Sequence, residues 1–130
     1  MSLPITALYT GMLSALLIAL SVAVVSLRVK HRVTIGTGNV PGLERAIRIH
    51  ANFVEYVPLA LLLLMLCEIN QGAPRMLHSY GIALVIARLS HVLGLSFTSR
   101  PNPGRLIGAT LTWLIILGLA TINILYYLKH

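Results

Sequence analysis

Between Glu44 and Pro58 the chain reads ERAIRIHANFVEYVP. This run gathers two arginines, two glutamates, a histidine, an asparagine and a tyrosine, all groups that hold anions, pair with each other or move protons. Arg88 and His91 stand three apart further along. Arginine and histidine at that spacing share one helical face. Charge is otherwise scarce: 10% of the 130 residues are charged and 57% are hydrophobic. A soluble domain carries about a quarter charged residues. The chemistry is therefore concentrated in an otherwise greasy chain.

Helical geometry puts most of these groups on one stripe. With Arg48 at zero, Asn52 falls near roughly 40°, Glu55 near −20° and Glu44 near −40°. Arg45 and Tyr56 follow at roughly 60° and 80°, while His50, near 200°, meets a different neighbour. This pattern predicts a shared polar face with lipid against the rest. An ionised side chain near a helix centre costs about 2.5–3.5 kcal/mol on insertion scales. Partners are therefore expected: Arg48 with Glu55, and Arg88 with either glutamate. Those pairs alone would brace a bundle. The excess of arginine over glutamate argues instead for an anionic ligand completing a site.

These residues need long apolar helices to position them. Residues 4–27 and 106–128 carry no charge, and about 20 apolar residues cross the hydrocarbon core. No basic residue precedes the first run, so it reads as a retained span rather than a cleaved signal. Breaker runs GTGNVPG, NQGAP and RPNPG separate the segments. They predict an all-α membrane protein of four spans, 4–29, 43–70, 75–97 and 104–128, in a single domain. Arg28, Lys30, Arg32, Arg45 and Arg48 flank the first connector, and Arg100 and Arg105 the third. The positive-inside rule puts both in the cytoplasm. On that topology Arg48 to Tyr56 lie roughly 8–20 Å into the second helix, and Arg88 and His91 roughly 9–15 Å from the end of the third. The two clusters are expected to meet at one depth. The net charge of +7 is explained by these loops, and no nucleic-acid module is present.

Arg48-Ile-His50-Ala-Asn52-Phe-Val-Glu55-Tyr56-Val-Pro58 resembles the R-A-x-x-N-x-x-E-x-x-P helix of the MAPEG superfamily, membrane-associated proteins in eicosanoid and glutathione metabolism. Glu44-Arg45, Arg88-Leu-Ser-His91 and the four-span length are similar to its short bacterial branch. The resemblance implies a homotrimer in a bacterial inner membrane. It further implies glutathione as co-substrate in clefts between subunits, and transfer to lipophilic electrophiles or reduction of lipid peroxides. Carried across by position, Arg28, Arg48, His50, Asn52, Glu55, Tyr56, Arg88 and His91 become glutathione-binding candidates. Arg105 becomes the candidate that stabilises the thiolate. Glutathione's two carboxylates and one ammonium suit several arginines and one carboxylate such as Glu55. A nearby arginine lowers a thiol's pKa, and thiolate is the nucleophile.

One departure stands out. Relatives with strong transferase activity have a tyrosine one turn beyond His91, and this chain has Leu95. Ser96 there reads as an ordinary helix-end hydroxyl. A catalytically silent scaffold or lipid-binding member of the fold is thus one rival. A small four-span drug exporter is another, but such exporters use an acidic residue in a first helix that here is uncharged. Cys67, about 28 Å along the helix from Arg48, reads as a packed small residue. No histidine pair stands at metal-ligand spacing, so no metal is expected. Tyr9 and Tyr80 fall near span ends, where aromatic belts occur, and Trp113 and Tyr127 suit helix-four packing or interfacial anchoring. Ala7-xxx-Gly11-xxx-Ala15 and Gly104-xxx-Gly108 suit close helix packing.

Overall fold

The computed structural model describes residues 2–97 and 102–129; Arg100, counted above toward the third connector, lies outside them. Four helices account for nearly all of these residues: α1 (Pro4–His31), α2 (Pro41–Ile69), α3 (Pro74–Phe97) and α4 (Pro103–Lys129). Every one opens on a proline. Proline's fixed φ suits the first helical turn, where its missing N–H removes no hydrogen bond. The breaker runs therefore end one helix and start the next. Pro58 is different, lying inside α2, where it forgoes one backbone bond. All four helices are long and apolar enough to cross a membrane.

The helix ends are finished by side chains, some from distant parts of the chain. α1 stops where Arg32 turns left-handed (φ 54) and its N–H returns to the carbonyls of Arg28 and Val29. Arg28 then folds over the first connector, donating from Nη1 to the carbonyls of Thr34 at 3.2 Å and Gly36 at 3.1 Å. Asn102 caps α4 by accepting from the Arg105 N–H at 3.0 Å, while its amide nitrogen donates to the Gly94 carbonyl at 2.7 Å. At the start of α1, Leu3 offers no side-chain cap. Glu68 supplies it from the last turn of α2, accepting from Ile5 N at 3.0 Å and Thr6 N at 2.7 Å. A carboxylate there also complements the positive end of the helix dipole.

α2 and α3 form the centre of the bundle. α1 packs on both of them and α4 packs on both from elsewhere; among the described residues α1 and α4 do not touch. α3 and α4 approach most closely. A Cβ at Gly108 would sit 2.6 Å from both the Ala87 carbonyl and the His91 nitrogen. One at Gly94 would strike the backbone nitrogen of Arg105. The Gly104-xxx-Gly108 spacing thus does serve helix packing. Ala7, Gly11 and Ala15 instead lie exposed, with open space beside Gly11.

Two aromatic expectations are corrected. Tyr9 is buried, its ring against Gly81 and its hydroxyl 2.9 Å from His78 Nδ1, so it joins α1 to α3. Tyr80 packs over Gly118 and joins α3 to α4. In both cases a glycine opposite the ring leaves room for it, which buries Tyr9 and leaves Tyr80 half-buried between α3 and α4. Trp113 and Tyr127 are exposed on α4 and take no part in the packing of this bundle.

The remote cap makes a stability prediction. Glu68→Ala removes both acceptors from the start of α1, and loss of a helix cap costs about 1–2 kcal/mol. Thermal unfolding in detergent is expected to show that loss, with Glu68→Gln, which keeps one acceptor oxygen, losing less.

Candidate functional site

α2 turns its apolar stripe inward: Leu43, Ile49, Phe53, Val57, Ala60 and Leu64 are all buried. Its charged stripe faces the other way, with Glu44, Arg48 and Glu55 exposed. The lipid-facing assignment is thereby corrected, because the bundle rather than lipid covers the apolar face. Asn52, at the edge between the two stripes, is the residue of this motif that hydrogen-bonds to Arg88.

What Asn52 meets is the most enclosed ionisable side chain among the described residues. Arg88 is 0% exposed. Its Nη2 donates to Asn52 Oδ1 at 2.7 Å, and its Nη1 to Thr112 Oγ1 at a longer 3.4 Å. His91 Nδ1 lies 3.5 Å from Nη2, and the guanidinium carbon stands 5.6 Å from the centre of the Phe53 ring. Nε has no partner among the described residues. Arg88 forms no ion pair with a glutamate, nor does Arg48 with Glu55. Geometry gives the reason. Both carboxylates project from the outer side of α2, whereas Arg88 enters from α3 on the inner side. Arg48 and Glu55 are also seven residues, or about 10 Å, apart along one helix.

One turn nearer the first and third connectors lies a second tier. Pro41, Glu44, Arg45, Arg48, Leu95 and Arg105 line a recess of about 180 Å³ among α2, α3 and α4. Arg48 precedes Asn52 by one turn on α2, and Leu95 follows His91 by one turn on the antiparallel α3. The recess and the buried cluster are therefore stacked, roughly 6 Å apart along both helices. Arg45 also borders an apolar recess of about 270 Å³ among α1, α2 and the end of α3, lined by Leu20, Ala23, Leu27, Ile49 and Ser96.

The predicted residues thus divide. Arg48 and Arg105 meet across the recess, and Asn52, Arg88 and His91 meet beneath it, so the two clusters do converge at one end of the bundle. Glu55 lies on the exposed side and lines neither tier, whereas Tyr56, half-buried one turn beyond Asn52, stands near the Arg88 guanidinium. His50 turns to α1, its Nε2 3.1 Å from Ser21 Oγ, the separate neighbour its angle requires. Arg28 is held by connector carbonyls. Ser96 donates to its own helix at Val92 O, 2.6 Å away, as a helix-end hydroxyl does. Cys67 is buried at the far end, 3.1 Å from Asn123 Nδ2.

Sequence reasoning missed Thr112 and Phe53. Both lie in stretches read by charge alone, where a hydroxyl and an aromatic ring carry no signal. Thr112 has a faint one: it stands one turn after Gly108, to whose carbonyl it donates at 2.7 Å, at the point where α4 comes closest to α3. Thr112→Val removes the oxygen that accepts from Arg88 and leaves a buried donor unsatisfied, at about 1–2 kcal/mol. Thermal unfolding should register that loss, while the exposed neighbour Thr110→Val is expected to unfold like the parent.

The sequence profile of the MAPEG family matches residues 6–125. An inner membrane protein, YecN, of Escherichia coli (strain K12) is 38% identical over 122 residues, covering 94% of this chain and 92% of that one. The protein of the same name from Escherichia coli O6:H1 gives the same values. Its four membrane-length helices make this a multi-pass membrane protein, and the chain, matched along almost its whole length, belongs to the MAPEG family.

Proposed function

We propose that this protein binds glutathione and transfers it to lipophilic electrophiles, or uses it to reduce lipid peroxides, as a homotrimer in the bacterial inner membrane. The observation that carries the reading is the recess that brings Arg45, Arg48 and Arg105 together beside Glu44. Glutathione presents two carboxylates, an ammonium and a thiol. Three guanidinium groups suit the carboxylates. Arg105, at the start of α4, is placed to stabilise the thiolate, the form that attacks an electrophile.

The exposed stripe of α2 supports the trimer. Charges at Glu44, Arg48 and Glu55 are costly in contact with lipid, and a neighbouring subunit would cover them. In that arrangement Glu55 meets the ammonium of glutathione, and Arg28 and His50 complete the cleft from the adjacent copy. The first and third connectors then face the cytoplasm, where their basic residues belong. The apolar partner arrives laterally through lipid.

Leu95 favours a second reading, in which glutathione binds without efficient chemistry. Its buried apolar side chain lines the recess and offers no hydroxyl to a thiol.

Titration of the detergent-purified protein with glutathione, following thiolate absorbance in the ultraviolet, tests the proposal. Saturable thiolate formation that is lost in Arg48→Ala is the expected result, with weaker binding in Glu55→Gln. Absence of saturation at millimolar glutathione would sink it. Leu95→Tyr places a hydrogen-bond donor in the recess, and a positioned proton donor is worth about a hundredfold in rate. Turnover of a model lipophilic electrophile is expected to rise accordingly.

A further inference from the structure

The bond between Arg88 and Asn52 has a chemical direction. A guanidinium carries only N–H donors, so the Asn52 atom 2.7 Å from Nη2 must be the amide oxygen. The amide nitrogen is thereby turned away from Arg88. Its two N–H donors have no partner among the described residues, and the atom is not sealed inside the bundle. Asn52 itself is half-buried at the edge of the charged stripe, one turn from Arg48.

We propose that Arg88 is a positioning residue that locks Asn52 as a hydrogen-bond donor, so that Asn52 reads an acceptor on the ligand, a carboxylate or an amide carbonyl. A free asparagine offers either end of its amide and selects nothing. With its oxygen held by a buried guanidinium, it accepts carboxylates and carbonyls and rejects ammonium groups. Arg88 thus contributes to specificity without touching the ligand. Thr112 and Phe53 hold the guanidinium in place on its other sides. This inference rests on the glutathione reading above and assigns a polarity to one of its contacts.

Asn52→Asp separates packing from recognition, because the two side chains are nearly isosteric. One carboxylate oxygen replaces the amide oxygen and pairs with Arg88, now with opposite charge. The other replaces the donor with an acceptor. The melting temperature of the ligand-free protein is therefore expected to rise, while glutathione affinity falls about tenfold or more, the cost of a lost bond to a charged group. A double-mutant cycle provides the second arm. Arg88→Met and Asn52→Ala should each weaken glutathione binding, and the double variant should bind no worse than the weaker single variant, because one acts through the other. Arg88→Lys, which still donates to the amide oxygen, should recover most of the affinity.

Unchanged glutathione affinity in Asn52→Asp, or additive losses in the cycle, would overturn the positioning role. Failure of the unsubstituted protein to bind glutathione would instead remove the functional reading beneath it. The melting temperature of Asn52→Asp reports the Arg88 contact whether or not ligand is present, and a fall would contradict the geometry itself.

Discussion

A fully enclosed arginine without a carboxylate beside it governs how this bundle is built. An ion withdrawn from water costs several kcal/mol unless neighbours replace its hydration. Here the replacements are neutral: one amide oxygen, one hydroxyl, one imidazole and the face of a phenyl ring. They come from α2, α3 and α4, so the charge can be housed only when those three helices are in register. A single residue thereby makes the association of three apolar rods specific, which lipid-like side chains alone do not achieve.

The close approach of α3 and α4 serves the same end. Gly94 and Gly108 let the backbones nearly touch, which carries Thr112 to Arg88 and the start of α4 to Leu95. Asn102 fixes that start by bonding both helices. Position in the recess is thus set by backbone contact rather than by flexible side chains. Sites supported on rigid elements hold their geometry more closely than sites on loops.

Much of this was legible in the sequence. Prolines and glycines between uncharged runs located all four helices to within two residues of their starts, because breaker chemistry is local. The meeting of Asn52 with Arg88 and His91 was legible as a shared depth, since antiparallel spans fix depth by counting. Which face of α2 looked inward was not. A polar stripe marks a helix as two-sided but does not say which neighbour takes which side, and the apolar stripe of α2 is the one the bundle claims. Arg88 was assigned a glutamate because charge was matched to charge. The structure satisfies it with dipoles, whose sequence signature is a threonine and an asparagine among many. Glu68 escaped notice for a related reason: its partners are backbone amides more than sixty residues away.

That distant carboxylate bears on how the first two helices are joined. The first amides of α1 have no side-chain cap of their own, and every helix start leaves such donors open. They find an acceptor only where the last turn of α2 returns beside α1. The start of one helix is therefore finished by the end of the next. Glu68 makes α1 and α2 a closed hairpin at the end of the bundle opposite the recess.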